Sequence, residues 1–283
     1  MITERDDRFT RTVLSVVKKG SSRPITALDS DGKTVFIKLT GGLSSPSAAM
    51  SDMVCREIGH AIGLPILKPS LILLDERVDS SNVDVEIRDL LRKSYGLNLT
   101  TDFYPEAFDI VLDEGEVNTP MRDRLFIFDL FLLNVDRSLS NSNLLRVGTC
   151  EYSIDYEASF MIMGALQAKE YMQAESVRRA LRQNPLYHPH LTYECFAKEF
   201  AALVEVDIES IIDGVPDSWL NYSTTTVSET KSQLVKSITQ HINNKQQYIA
   251  LYKQLESIDF IPESERKRKN IENRNLFTAK YSL

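Results

Sequence analysis

The chain of 283 residues contains few cysteines and no long apolar run. Its cysteines, Cys55, Cys150 and Cys195, are odd in number and lack Cys-x-x-Cys spacing, which argues against a disulfide framework and a zinc site. The longest apolar stretch, residues 125–133, is interrupted by Asp129 and is too short to span a bilayer. Residues 1–7 are mostly polar, so we expect no signal peptide there. We therefore expect a cytoplasmic protein without a membrane partner.

The chain also lacks an excess of positive charge and two common phosphate-binding motifs. The formal net charge of −7 argues against general nucleic-acid binding. The sequence has no Gly-x4-Gly-Lys-[Ser/Thr], which excludes a P-loop nucleotide hydrolase, and no Gly-x-Gly-x-x-Gly. Any chemistry on phosphates must therefore use other residues.

Acidic and amide side chains follow one another in the middle of the chain. Residues 134–137 read Asn-Val-Asp-Arg, residues 141–145 read Asn-Ser-Asn-Leu-Leu, and Asp155 ends a short apolar stretch. Phosphoryl transfer from ATP needs one carboxylate near the acceptor hydroxyl, and an amide oxygen and a second carboxylate for magnesium. Taken alone, the first of these segments also fits an Asn/Ser-rich surface turn. The order of loop, asparagine, strand and aspartate favours phosphoryl transfer.

A lysine far upstream adds to this pattern. Lys38 ends the β-branched and aromatic run of residues 34–38, and Asp31-Gly32 before it predicts a hairpin turn. A small-residue loop with Gly20, Ser21 and Ser22 precedes both, and small residues let backbone N–H groups approach phosphates. A solvated edge lysine and a plain turn are the alternatives for these two features.

In this order and with these gaps, the motifs resemble those of the HipA-like kinases, in the short form of that domain. The match includes residues 35–38, Gly-Leu-Pro at 63–65, residues 134–137 with Asn143 and the two leucines after it, and Ile-Asp at 154–155. The resemblance implies an α+β, two-lobed protein-kinase-like fold with a β-rich N-lobe and a mostly helical C-lobe. It also implies an ATP-dependent serine/threonine protein kinase that uses Mg²⁺ and is known in bacteria as a toxin-like growth regulator.

The resemblance also implies roles for individual residues. Lys38 is similar to the lysine that contacts the ATP phosphates, Asp136 to the catalytic aspartate and Asp155 to the magnesium-binding aspartate. The loop with Gly20, Ser21 and Ser22 would cover the nucleotide, and autophosphorylation there is known among relatives.

Three positions are ambiguous or depart from the family. Spacing after Asp136 favours Asn141 as the metal-binding asparagine, whereas the Leu-Leu that follows favours Asn143, which we prefer. A glutamate pairs with the lysine in relatives, but Asp52 stands at the matching position, and Glu57 would replace it only if the helix were rotated. Ser138 stands where many relatives have a histidine.

The expected organisation is an N-lobe at residues 1–95, a C-lobe at 96–262 and a basic tail at 263–283. The connection between the lobes is expected at residues 95–98, where backbone groups at Gly96 and Asn98 would meet the adenine. Thr119-Pro120 predicts the start of a buried central helix that leads to Asn134.

The resemblance therefore implies a kinase that phosphorylates a serine or threonine of a protein substrate, with an antitoxin-like or regulatory protein as a further partner. Two alternatives remain open. One is a nucleotide-binding but catalytically weak regulatory protein on a kinase scaffold, and the other is a kinase for a lipid or small metabolite.

Overall fold

The computed structural model describes residues 8–17, 23–42, 45–112, 119–220, 225–262 and 265. None of the helices in these segments combines the length and apolarity that a crossing of a membrane requires.

The first half of the chain forms one antiparallel sheet, which with its helices is the N-lobe (described residues 8–102). Its five strands lie in the order β1-β2-β3-β5-β4. They are β1 (Thr10–Val16), β2 (Ile25–Asp29), β3 (Thr34–Lys38), β4 (Ser70–Leu74) and β5 (Gly96–Asp102). The predicted hairpin at Asp31-Gly32 joins β2 to β3, and Gly32 has a φ of 76°, which favours glycine. Lys38 is the last residue of β3, as the sequence predicts.

One long helix packs between the N-lobe sheet and the rest of the molecule. This helix, α1 (Pro46–Ala61), begins at Ser45, whose side chain accepts from the Ala48 N–H, and its last turns end at Gly63 with a φ of 71°. A Cβ at Gly59 would lie 2.3 Å from Ile66 Cδ1 and 2.9 Å from Phe128 Cε1. An added methyl group would therefore require the Ile66 and Phe128 side chains to shift.

The expected connection between the lobes at residues 95–98 is wrong. A second helix, α2 (Val85–Lys93), is followed at once by β5, which pairs with both β3 and β4. Gly96 therefore starts a central strand, and the sheet continues seven residues beyond the expected boundary, to Asp102. Asn98 is fully buried, and its Oδ1 accepts from the Thr40 N–H at 2.9 Å, which ties the chain after β3 to β5. The chain leaves the sheet only after Asp102.

The second half, the C-lobe (described residues from 108 on), is mostly helical around a small sheet. The small sheet contains β6 (Phe108–Asp109), β7 (Leu144–Val147) and β8 (Cys150–Ser153). The helices are α3 (Pro120–Leu132), α4 (Phe160–Gln167), α5 (Glu175–Arg182), α6 (Tyr193–Val204), α7 (Ile208–Asp213), α8 (Val227–Ile242) and α9 (Lys245–Leu255). As predicted, Thr119 caps α3 and Pro120 is its first residue. From residue 125 onward α3 is buried on all sides, so it is the central helix of this lobe.

Candidate functional site

Lys38 lies in the cleft between the two halves and is surrounded by three carboxylates. Its Nζ is 2.9 Å from Asp52 Oδ2, 3.0 Å from Asp155 Oδ1 and 2.9 Å from Glu157 Oε1. Burial alone would favour the neutral amine, but the three negative charges outweigh it and raise the pKa of Lys38. The lysine is therefore a fixed positive charge in the cleft.

Of the two acids considered as partners of this lysine, Asp52 holds it. Asp52 on α1 is fully buried, and although burial opposes its charge, Lys38 lowers the pKa of the Asp52 carboxyl. Its second oxygen, Oδ1, accepts from the Tyr156 N–H at 2.8 Å, so Asp52 also holds the residue that follows Asp155. Glu57 lies elsewhere on the helix surface, and within the described residues its Oε1 has no hydrogen-bond partner.

The loop after α3 presents Asp136. Leu133 ends the helix in the left-handed conformation with a φ of 52°, and Asn134 donates from Nδ2 to Asp129 Oδ1 at 2.9 Å. Asp136 itself is exposed, and Asp136 Oδ2 accepts from Asn141 Nδ2 at 3.0 Å and Asn143 Nδ2 at 3.2 Å. Partial removal from water and then the nearby charge of Asp155 raise the pKa of Asp136.

Both candidate metal-binding asparagines reach the same carboxylate. Asn141 also donates to the Asp136 carbonyl at 3.1 Å, and its own N–H donates to Ser138 Oγ at 3.1 Å. Ser138 thus fixes the turn that contains Asn141. Asn143 lies in the left-handed region with a φ of 50°, directly before β7. The geometry brings both residues to Asp136 and leaves the choice between them open.

The donor set is compatible with magnesium. Carboxylate and amide oxygens are the hard ligands that magnesium prefers, and it normally keeps waters and binds substrate phosphates as well. Across the described segments, no three His, Cys, Asp or Glu side chains form a metal site of their own. A metal here would therefore rely on Asp155, an asparagine oxygen, waters and phosphate rather than on a complete protein cage.

The remaining predicted site residues divide into two groups. Gly20, Ser21 and Ser22 lie outside the described residues. Gly96 and Asn98 lie in β5, where their backbones pair with β4 in the N-lobe sheet. Glu157 was missed, although a second acid two residues after Asp155 is visible in the sequence as Asp-Tyr-Glu.

One half of the molecule is a five-stranded antiparallel sheet with the long helix α1, and the other half is mostly helical. The cleft with Lys38 lies between these halves, and this arrangement defines a two-lobed kinase fold. The sequence pattern of the HipA-like kinases matches residues 11–249, and the chain therefore belongs to that family.

Solved structures similar to this chain include two kinases. The Helicobacter pylori proinflammatory kinase CtkA covers 86% of this chain and 98% of its own, with a TM-score of 0.54. At 12% identity, that likeness shows the fold alone. The Leishmania major MAP kinase LmaMPK10 aligns over 89% of this chain and 85% of its own at 16% identity, but its TM-score of 0.27 is too low to indicate a shared fold. No curated protein matches the chain at a significant level. The family and the fold together support a phosphotransferase.

Proposed function

We propose that this HipA-like kinase transfers the γ-phosphate of ATP, with Mg²⁺, to a serine or threonine hydroxyl of a protein. The observation that carries the proposal is the convergence of Lys38, Asp136 and Asp155, which come from three separate elements, in one cleft. The presence of all three favours an enzyme over a catalytically silent scaffold.

Asp136 is proposed to orient the acceptor hydroxyl. Its carboxylate is held from one side by the amides of Asn141 and Asn143 and is exposed on the other. A carboxylate with a raised pKa is also a better proton acceptor than an ordinary aspartate.

Lys38 and Asp155 are proposed to have separate roles in binding the nucleotide, Lys38 at the phosphates and Asp155 at the metal. Magnesium bound with ATP would neutralise the phosphates and align the transferred group. Asp155 is the carboxylate placed to hold that metal, together with Asn143 or Asn141. Lys38, now 3.0 Å from Asp155, is placed to contact phosphate oxygens while Asp52 keeps its side chain in position.

A protein acceptor is favoured by the exposure of Asp136. Sites for small molecules usually enclose most of their ligand. Here the carboxylate proposed to contact the acceptor hydroxyl belongs to a residue that is exposed in the described part of the chain.

Transfer of labelled γ-phosphate tests the proposal. The protein is incubated with labelled ATP, with and without Mg²⁺, alone and with a cell extract, and the labelled products undergo phosphoamino-acid analysis. Magnesium-dependent label on serine or threonine that is lost in Asp136→Ala supports the proposal. Label found only on lipid or small metabolites would show that the acceptor is not a protein. Absence of any transfer would contradict the proposed function.

We further propose autophosphorylation at Ser21 or Ser22. A phosphoserine adds about −1.5 to −2 charges, which would repel the ATP phosphates and switch the kinase off. Mass spectrometry after incubation with Mg-ATP, beside the double variant Ser21→Ala/Ser22→Ala, tests this. An unmodified loop in an active kinase would contradict it.

Because the chain belongs to the HipA-like kinases, we propose an antitoxin-like partner protein. The chain is acidic overall, but residues 266–269 form a basic run that is a candidate docking site for this partner. Expression of the chain in a bacterial host should slow growth, and Asp136→Ala should not. Equal growth with both forms would count against a toxin-like role.

A further inference from the structure

The residue directly after Asp136 points in the opposite direction, into the core. The Arg137 side chain is 0% exposed, and its Nε lies 2.6 Å from Asp129 Oδ2, which is equally buried. A second donor, Nη2, lies 3.1 Å from Asp129 Oδ1. The guanidinium is thus paired through two of its three nitrogens with a carboxylate on α3.

The rest of the same guanidinium holds the two segments that contain the candidate metal ligands. Nη1 donates to the carbonyls of Ser142 and Asn143, the latter at 3.1 Å, and Nη2 donates to Ser153 Oγ at 2.9 Å. Ser142 and Asn143 end the proposed catalytic loop, residues 134–143, whereas Ser153 ends β8, two residues before Asp155. One side chain therefore connects both segments.

The Asn143 carbonyl strengthens this connection. It accepts from Arg137 and also from the Ile154 N–H at 3.0 Å, so the residue before Asp155 is bonded to the same oxygen. Asn143 and Asp155 both have left-handed backbones, with φ values of 50° and 62°, a conformation that asparagine and aspartate adopt more readily than other non-glycine residues. The hydrogen bonds of the Asn143 carbonyl join the two segments at these positions.

We propose that Arg137 is a positioning residue for the metal site. It fixes the catalytic loop and the Asp155 segment relative to each other, so that an asparagine oxygen and the Asp155 carboxylate face one ion. The inference rests on the proposed Mg-ATP kinase function and deepens it, since Arg137 touches neither nucleotide nor acceptor. Partners that orient metal ligands in this way typically affect metal affinity or activity by about 10- to 100-fold.

Arg137→Lys is the main test variant. Lysine keeps a positive charge for Asp129 but cannot reproduce the planar fork that reaches both carbonyls and Ser153. We expect the Mg²⁺ concentration for half-maximal transfer to rise about 10-fold and kcat to fall by about 10-fold or more. The KM for ATP at saturating Mg²⁺ should change little, because Lys38 is not disturbed.

A second readout needs neither metal nor nucleotide. Hydrogen exchange of the free protein reports the Ile154 N–H, which is bonded to the Asn143 carbonyl. In Arg137→Lys this amide should lose protection, while amides in α8 should keep theirs.

Asn184→Ala is the matched control. Asn184 is buried and donates from Nδ2 to Asp129 Oδ2 at 2.8 Å, and its Oδ1 accepts from the Leu186 N–H, so its side-chain hydrogen bonds in the described residues involve neither segment. Its loss should lower thermal stability but leave the Mg²⁺ requirement and Ile154 protection as in the wild type. Equal changes in both variants would reduce Arg137 to a general stabilising role and overturn the proposal.

If Arg137→Lys does not fold, Ser153→Ala tests the same connection with a smaller change, since it removes only one hydrogen bond of Arg137. It removes one acceptor of Arg137 Nη2, and a rise of about 2- to 3-fold in the Mg²⁺ requirement is expected, because most of the contacts that orient the ligand segments remain. Unchanged Mg²⁺ dependence and exchange in the folded variants overturn the positioning role. Absence of transfer by the wild type would instead overturn the proposed function, whatever the exchange data show.

Discussion

Asp52→Glu introduces the residue type that pairs with the lysine in other kinases, and we expect it to weaken this one. Asp52 uses both oxygens, Oδ2 on Lys38 at 2.9 Å and Oδ1 on the Tyr156 N–H at 2.8 Å, from a site with no exposed surface. A longer side chain in that space cannot keep both contacts in place.

The magnitude follows from two effects. An added methylene in a packed core costs about 1–3 kcal/mol of unfolding free energy. Loss of one charge-assisted hydrogen bond costs about 1.5–3 kcal/mol more. The melting temperature should fall by about 5–10 °C in a chain of this size. Displacement of Lys38 or the Tyr156 segment by about 1 Å should lower kcat/KM for ATP by about 10-fold or more.

Thermal denaturation and initial rates over a range of ATP concentrations measure these two effects. Glu57→Gln is the control on the same helix, since Glu57 is not the partner of Lys38, and its kcat/KM should equal that of the wild type. An Asp52→Glu protein with wild-type or higher kcat/KM and melting temperature would refute the account of Asp52.

Three further predictions concern the loop, the metal and the packing of α1. Alanine at the asparagine that binds magnesium should raise the Mg²⁺ requirement and lower turnover, and alanine at the other should change turnover little; equal small effects at Asn141 and Asn143 would mean that neither binds metal. Asp155→Ala should lose the Mg²⁺-dependent part of nucleotide affinity in a fluorescence titration, and retention of that part would exclude Asp155 as a ligand. Gly59→Ala should lower the free energy of unfolding by about 1–3 kcal/mol because its Cβ would lie 2.3 Å from Ile66 Cδ1, and unchanged denaturant unfolding would contradict this packing.

Features set by neighbouring residues were predictable from the sequence. The Asp31-Gly32 hairpin and the Thr119-Pro120 helix start depend on local turn and capping chemistry, and the structure confirms both. Lys38 at the end of a strand follows from the β-branched run before it.

Features set by long-range pairing were not predictable in the same way. Gly96 was interpreted as a turn between the lobes, but pairing of β5 with β3 and β4 decides its place, and neither partner is adjacent in sequence. Glu157 was missed because its role depends on Lys38, which lies 119 residues earlier and 2.9 Å away in space. Asp52 was identified only through its spacing from Gly63, and its second contact, with the Tyr156 N–H, has no signature in the sequence.

The most direct test of the central claim compares Asp136→Ala with the wild type in two measurements on the same preparation, phosphate transfer and nucleotide binding. Because Asp136 is proposed to contact the acceptor and not the phosphates, transfer should fall by at least about 10²-fold while Mg-ATP affinity stays within about 2-fold. A variant that transfers phosphate at the wild-type rate would show that residues 134–143 are not the catalytic loop.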